Sequence, residues 1–259
     1  MITRFVNYFI SIKQFFIISF IKAGVLPWFL GVALLTFSLA SDNFLTTQNI
    51  MGVARHSTDL ILVAMAQMIV MLTAGLDFSV GVILAMTSVV ASMTMVALWS
   101  GYGTGWEAIF IGCLAGLLIG ACIGLVNGLG VAFLRVPPFI MTLGMSSIIF
   151  GLALTITGGI PIYGAPESFT NTFGYGTFLG ISLSIWVTLF FIGIVYIFLN
   201  LTKMGRYFYA IGGNVRAAEL SGINIRVYIV SAYVFSAIIT SIAALLITAR
   251  LETGEPNIG

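Results

Sequence analysis

The sequence predicts an all-α protein, a polytopic bundle of membrane-spanning helices. Of its 259 residues 60% are hydrophobic and only 7% are charged, whereas soluble domains are about 45–50% apolar. The apolar residues also fall into runs of the length that crosses a bilayer, about 20 residues as a helix. The net charge of +2 is small and no basic cluster occurs, so nucleic-acid binding is not supported.

The N-terminal region combines a basic leader with the first apolar run. Residues 1–24 contain Arg4, Lys13 and Lys22 among aromatic residues and isoleucines, which favours a cytoplasmic or interfacial segment. Residues 25–40 are apolar and end in small residues, so a cleaved signal peptide and an uncleaved first helix both fit. The long leader and the spans that follow favour the uncleaved helix, and residues 25–259 are expected to form one transmembrane domain.

The next stretch is polar and then apolar. Residues 42–59 are predicted to form an external loop, with His56 as a solvated histidine. Residues 60–73 are apolar but reach only about 21 Å as a helix, less than the hydrocarbon thickness of about 30 Å. We therefore expect this segment to break near Gly75 or to be covered by other parts of the protein.

Asp77 is the only acidic residue between Asp59 and Glu107. It lies in a turn just before residues 80–98, the third predicted span. Asp77 or Ser79 is predicted to cap this helix. Contact with a permeation pathway and contact with a cytoplasmic partner are the open alternatives, because carboxylates near membrane depth usually face a cavity or a protein interior.

The fourth predicted span, residues 108–133, carries a glycine at every fourth position. The stripe consists of Gly112, Gly116, Gly120, Gly124 and Gly128. Small residues at this spacing let another helix approach at backbone distance, so we predict a role in helix packing. Cys113 and Cys122 lie in the same span and are predicted to act as small hydrophobic groups.

Three more spans follow, at residues 139–157, 182–201 and 227–249. Residues 158–181 form an external segment that is either a solvated loop or a docking surface for an extracytoplasmic binding protein. All ten basic residues except Arg55 and Arg250 fall on the side of the N-terminus. The positive-inside rule therefore places the N-terminus in the cytoplasm.

Residues 202–226 join the last two spans and form the longest polar segment of the chain. Asn214 is predicted to cap a short helix over residues 215–221, Gly222 to end it, and Gly212 with Gly213 to form a flexible entry. Because so short a helix is not stable alone, we expect it to dock against another protein at the cytoplasmic surface.

Several stretches resemble the permease subunits of ribose-, galactose- and arabinose-type ABC importers. They are residues 73–81 (TAGLDFSVG), 127–144 (NGLGVAFLRVPPFIMTLG), 209–214 (YAIGGN) and 217–223 (AAELSGI). The similarity extends from about residue 43 to residue 259. It implies the ABC-importer permease fold and an ATPase-coupling loop that comprises Gly205, Tyr209, Gly212, Gly213, Asn214, Ala217, Ala218, Glu219, Leu220, Ser221 and Gly222.

The resemblance implies a permease subunit of an ATP-driven importer for a monosaccharide, in the bacterial cytoplasmic membrane. The implied partners are a cytoplasmic ABC ATPase, a second permease copy or a paralogue, an extracytoplasmic sugar-binding protein and the lipid bilayer. The sequence contains no Gly-x-x-x-x-Gly-Lys-Ser/Thr phosphate loop. We therefore expect no enzymatic activity, no metal and no cofactor in this chain, with ATP bound by the partner. The alternative is a gradient-driven secondary transporter or channel for a small polar solute.

Permeases of this family continue past the position of Gly259, and residues 252–259 contain no span. We expect these residues to lie in an external loop. The resemblance therefore implies a permease shortened at its C-terminus, which needs further helices in order to transport.

Overall fold

The computed structural model describes residues 24–99, 101 and 105–259. The predicted N-terminal segment, residues 1–24, thus lies outside the described residues except for Gly24. The elements are α1 (Leu26–Ala40), α2 (Thr47–Met71), α3 (Val80–Leu98), α4 (Trp106–Ala132), α5 (Pro138–Thr157), α6 (Glu167–Phe169), the π-helix π1 (Thr170–Gly174), β1 (Thr177–Phe178), β2 (Ile181–Ser182), α7 (Leu183–Leu201), α8 (Lys203–Gly213), α9 (Val215–Leu220) and α10 (Ile225–Leu251).

The predicted all-α membrane fold is confirmed. Among the described residues, six helices are long and apolar enough to cross a membrane, namely α2, α3, α4, α5, α7 and α10. The sequence predicted seven spans, one more than these six. The difference is α1, which has 15 residues and reaches only about 22 Å. Antiparallel pairing joins β1 to β2 in a small hairpin, in the register Thr177 to Ser182 and Phe178 to Ile181.

The predicted external loop at residues 42–59 is wrong, and the apolar residues 60–73 belong to a longer helix than expected. The predicted break near Gly75 is confirmed, because the helix ends at Met71 and the next one starts at Val80. A single helix of 25 residues, α2, covers Thr47 to Met71. The hydroxyl of Thr58 donates to the Arg55 carbonyl at 2.6 Å, so this polar side chain is satisfied within the helix. Asp59 is buried and is bonded to a cation from a distant helix. Polar residues therefore do not end α2.

The chain divides into two compact units, residues 1–53 and 54–259, and the boundary falls within α2. In the described part of the first unit, the rings of Phe37 and Phe44 lie 5.7 Å apart. The core of the second unit is formed by α2, α3, α4, α7 and α10, with fully buried side chains such as Leu62, Val89 and Tyr233.

The glycine stripe of α4 lies against two neighbouring helices. A side chain at Gly116 would meet Thr87 of α3 at 3.1 Å, and one at Gly112 would collide with Met95, which also belongs to α3. Further along, Gly120 faces Ser241 of α10, and Gly124 and Gly128 face the α10 backbone at Tyr233 and Val230. Small residues at every fourth position thus let α4 approach both α3 and α10 at backbone distance.

The segment after α10, residues 252–259, turns back along α3, so its predicted position in an external loop is wrong. Glu252 ends α10 with φ 62°, and Gly254 pairs with Ile162 in an isolated β-bridge. The amide of Glu255 then donates to the Ser88 hydroxyl at 3.1 Å, and Gly259 packs on the backbone of Gly81. This segment is therefore held in place by hydroxyl groups and glycines of α3. No local pattern in residues 252–259 predicts these contacts.

Candidate functional site

The polar segment between α7 and α10 begins with an amphipathic helix, α8, whose buried face anchors it. Phe208 and Ile211 are fully buried, and the Phe208 ring packs 5.7 Å from the ring of Phe198 in α7. The Thr202 hydroxyl caps the helix by accepting the Gly205 amide at 3.2 Å. Gly205 itself packs directly on the backbone of Leu199. This helix was not predicted from the sequence, although Phe208 and Ile211 have the three-residue spacing of apolar positions on an amphipathic helix.

Gly212 and Gly213 do not form the predicted flexible entry, because both lie in the last turn of α8. Gly212 packs against the backbone carbonyl of Leu72, where any side chain would collide. Because Gly212 has no side chain, α8 can contact the loop between α2 and α3. Gly213 has open space around the position of a side chain.

The short helix α9 forms as predicted and ends one residue earlier, at Leu220. The Asn214 side chain accepts the Ala217 amide at 3.0 Å, which is an N-cap. At the other end Gly222 has φ 78°, and its amide donates to the Glu219 carbonyl at 3.0 Å. A positive φ is cheap for glycine, so the helix stops here.

The outer face of α9 is open. Ala218 is the buried residue of this helix, whereas Leu220 is 79% exposed and Val215 is about half exposed. Tyr209 of the preceding helix α8 is also about half exposed. Arg216 and Glu219 form an ion pair at 3.0 Å that contributes little to stability at such an exposed position. Ser221 donates its hydroxyl to the Ala217 carbonyl at 2.9 Å. Of the predicted coupling residues, Gly205 and Gly212 thus pack on neighbouring backbone, whereas Tyr209 and Leu220 are exposed.

The loop between α2 and α3 contains a buried polar cluster. The Asp77 carboxylate accepts both the amide of Ser79 at 2.8 Å and its hydroxyl at 2.6 Å. The Asn127 side chain of α4 donates to the Ser79 hydroxyl at 2.8 Å. Ser79 occupies the N-cap position of α3 without a side-chain bond to the helix. Burial raises the pKa of Asp77, and the two bonds from Ser79 offset this only in part.

Two further helices bind the same loop. The Tyr233 hydroxyl of α10 donates to the Leu76 carbonyl at 3.1 Å, and the Thr142 hydroxyl of α5 accepts the Phe78 amide at 3.1 Å. Asn127, Thr142 and Tyr233 were not predicted from the sequence, although an isolated asparagine in an apolar span is a recognisable signal. The loop that contacts α8 is therefore bound to α4, α5 and α10.

A cleft of about 570 Å³ opens at the other end of the second unit, between the ends of α3 and α10 and the segment that contains α6 and π1. Its walls include the aromatic side chains of Trp99 and Tyr163 and the polar side chains of Glu167, Asn171 and Glu252. By the predicted orientation this end is external. Within the part of the chain that the structure describes, no three His, Cys, Asp or Glu side chains come together as metal ligands would.

Comparison with known proteins adds to this geometry. A family profile described as the permease component of a branched-chain amino acid transport system matches residues 49–259. The D-allose transport system permease protein AlsC of Escherichia coli is 32% identical over 222 residues, which cover 86% of this chain and 66% of the relative. The ribose import permease protein RbsC of Bacillus subtilis is 36% identical over 235 residues, with 89% and 70% covered.

The galactose/methyl galactoside import permease protein MglC of Haemophilus influenzae is 32% identical over 245 residues, which cover 90% of this chain and 72% of the relative. The chain spans about two thirds of the length of the first of these relatives, at 66%. No solved structure matches the chain.

Proposed function

The chain belongs to the family of ABC-importer permease components that includes the ribose, allose and galactose permeases, and on this basis we propose that it is the permease subunit of an ATP-driven monosaccharide importer. It is a multi-pass protein of the bacterial cytoplasmic membrane, with six helices of membrane-spanning length in its described part. In this proposal the chain forms the translocation pathway, and ATP binds only to a separate ATPase.

The proposal rests on helices α8 and α9, because α8 is anchored in the helix bundle and α9 has an exposed outer face. We assign α9 as the element that docks on the ATPase, because its Leu220 and Val215 side chains are exposed and need a partner to cover them. Phe208 and Ile211 tie α8 into the bundle, so α8 and α9 would move together when the ATPase moves.

A direct mechanical connection runs from this unit to the helices. Gly212 touches the Leu72 carbonyl, and the loop that follows is bonded to Asn127 through Ser79 and to Tyr233 through Leu76. A displacement of α8 would therefore act on the start of α3 and on α4 and α10 together. A physically connected set of contacts of this kind is what coupling between a motor and a pathway requires.

The substrate class follows from the relatives, whose names specify ribose, allose, galactose and arabinose. Neutral sugars are bound by hydrogen-bonding side chains and by aromatic faces. The external cleft offers both kinds of group, in Trp99, Tyr163 and Asn171. We propose that an extracytoplasmic sugar-binding protein delivers the sugar at this end, and that a second permease copy or a paralogue completes the pathway.

Reconstitution into sealed vesicles tests the proposal. The chain is combined with the ABC ATPase and sugar-binding protein of the same organism, and uptake of radiolabelled ribose, allose, galactose and arabinose is measured. Uptake that requires ATP and persists when ionophores collapse the ion gradients supports the importer. Uptake that follows a proton or sodium gradient without ATP would contradict it and favour a secondary transporter.

A further inference from the structure

The segment that follows α10 brings a non-helical backbone to membrane depth. Ser88 lies near the middle of α3, a helix of 19 residues, and it accepts the amide of Glu255 at 3.1 Å. The same hydroxyl accepts a bond from Thr248 of α10 at 2.7 Å. Glu255 is therefore held halfway along a membrane span, where an irregular backbone is tolerated only inside protein or beside a water-filled cavity.

The neighbours of Glu255 confirm this depth. Gly254 packs on Ser92, one turn closer to the external end of α3, and Gly259 packs on Gly81 at its other end. Between them, Ile258 packs against the apolar core cluster that includes Leu84. The segment thus follows α3 from Ser92 to Gly81, as its contacts with Ser92, Ser88 and Gly81 show.

The Glu255 side chain carries a charge without a cationic partner. In the described part of the chain the ion pairs join Arg216 to Glu219 and Arg250 to Asp59, and neither involves Glu255. The carboxylate accepts the amide of Asn257 at 3.3 Å, and Asn257 is exposed. An unpaired carboxylate that faced lipid at this depth would be costly, and such residues almost always face a bundle interior or a water-filled cavity.

A second polar group without a partner lies beside the segment. The Ser92 hydroxyl is fully buried and forms no hydrogen bond within the described residues. Buried hydroxyl groups are normally hydrogen-bonded, so an orphan calls for an explanation such as a bound polar molecule. Ser92 and Glu255 thus lie close together, because Gly254 packs on Ser92 and the next residue is bonded to Ser88, one turn along α3.

We propose that Glu255 binds hydroxyl groups of a neutral monosaccharide near the middle of the membrane, with Asn257 and Ser92 beside it. This inference rests on the proposed function and names a substrate contact for it. An ionised carboxylate accepts hydrogen bonds from adjacent sugar hydroxyls, and such bonds are stronger than those between neutral groups. The bond from the Glu255 amide to Ser88 fixes the backbone, and the carboxylate can accept further hydrogen bonds beside the one from the Asn257 amide.

Cysteine accessibility tests the location without any need for transport. Glu255→Cys is made in the full chain with Cys113 and Cys122 replaced by alanine, assembled with its ATPase in vesicles, and treated with a charged methanethiosulfonate reagent. We expect Cys at this position to react, and ribose, allose, galactose or arabinose to slow the reaction. The matched control is Val89→Cys at the same depth of α3, where a fully buried side chain should not react. Failure of position 255 to react, or reaction that none of the four sugars slows, would overturn the proposal.

Uptake kinetics test the chemistry. Glu255→Leu should raise the KM for sugar uptake at least about tenfold, because a hydrogen bond to a charged group is lost, and Glu255→Gln should raise it less. ATPase co-purification should not change, which shows that both variants fold and assemble. Glu107→Gln, at an exposed position at the start of α4, serves as the control with unaltered KM.

The outcomes separate the two proposals. If the wild-type protein shows no ATP-dependent sugar uptake, the proposed function fails and the accessibility result alone decides whether Glu255 lies in an aqueous pathway. If the wild-type protein transports sugar and Glu255→Leu retains the wild-type KM, the assignment of Glu255 is wrong while the importer stands.

Discussion

The guanidinium of Arg250, in the last turn of α10, donates a hydrogen bond of 2.6 Å to the carboxylate of Asp59 in α2. Both side chains are mostly buried, with 17% and 10% exposed. Arg250 was one of two basic residues that broke the positive-inside pattern, and its charge is neutralised within the protein. The other, Arg55, lies 5.5 Å from the centre of the Tyr175 ring, a distance at which the ring attracts a cation.

Removal of Arg250 should destabilise the second unit strongly. Arg250→Ala leaves the buried Asp59 carboxylate without its cation, a change that typically costs about 3–5 kcal/mol. The measurement is the melting temperature of the detergent-solubilised protein. The double variant Asp59→Asn/Arg250→Gln should recover much of the loss, since no buried charge remains.

The exposed ion pair of α9 provides the matched control for this effect. Arg216→Ala breaks a pair whose side chains are 79% and 58% exposed, and exposed pairs contribute about 0.2–1 kcal/mol. Equal melting temperatures for Arg250→Ala and Arg216→Ala would contradict the assigned role of the buried pair.

The glycine stripe should tolerate no side chain at its centre. A Cβ at Gly120 would collide with the Ser241 hydroxyl of α10, and overpacking of a tight contact costs about 1–3 kcal/mol. We expect Gly120→Leu to lower the yield of folded protein in fluorescence-detected gel filtration. Gly151→Leu in α5, where nothing lies within 4 Å of a Cβ, is the control and should fold normally. A higher yield of folded protein for Gly120→Leu than for Gly151→Leu would refute the packing role of the stripe.

Neutralisation of Asp77 should stabilise the protein near neutral pH. Burial raises the pKa of Asp77 above its ordinary value of 3.8, so the folded state favours the protonated carboxyl. The stability that the protonated Asp77 contributes to the folded state is fully present below pH 3.8. It is lost as the pH rises through the pKa of Asp77 in the folded protein. Asp77→Asn, which keeps an acceptor for Ser79, should therefore melt at a higher temperature than wild type at pH 7.5.

Melting temperatures measured over a range of pH check this prediction. The advantage of Asp77→Asn should shrink as the pH falls toward 4, whereas Asp42→Asn at an exposed position should change stability little at any pH. A variant Asp77→Asn that melts well below wild type at pH 7.5 would show that the two bonds from Ser79 outweigh the cost of burying the charge.

Features that depend on residues close in sequence could be predicted. Asn214 and Gly222 bracket α9 because cap and stop signals act within a few residues. The spacing of the glycines in α4 likewise predicted a packing surface, although it did not identify α3 and α10 as the partners.

Features that depend on distant residues could not be predicted. The polar start of α2 resembled a loop because Arg250, the partner of Asp59, is 191 residues away. The return of residues 252–259 along α3 rests on Ser88, 167 residues before Glu255. In both cases a polar group in a membrane protein is satisfied by a residue that a local sequence window does not contain.

The central claim is that α9 docks on an ATPase, and co-purification tests it most directly. Leu220→Asp places a charge on the exposed leucine of α9 without a change in any buried contact. The control is Leu179→Asp, a leucine of similar exposure, 78% against 79%, in the hairpin between β1 and β2. With the ATPase present in mild detergent, we predict that wild type and Leu179→Asp retain it and that Leu220→Asp loses it. Retention of the ATPase by Leu220→Asp at the wild-type level would contradict the account.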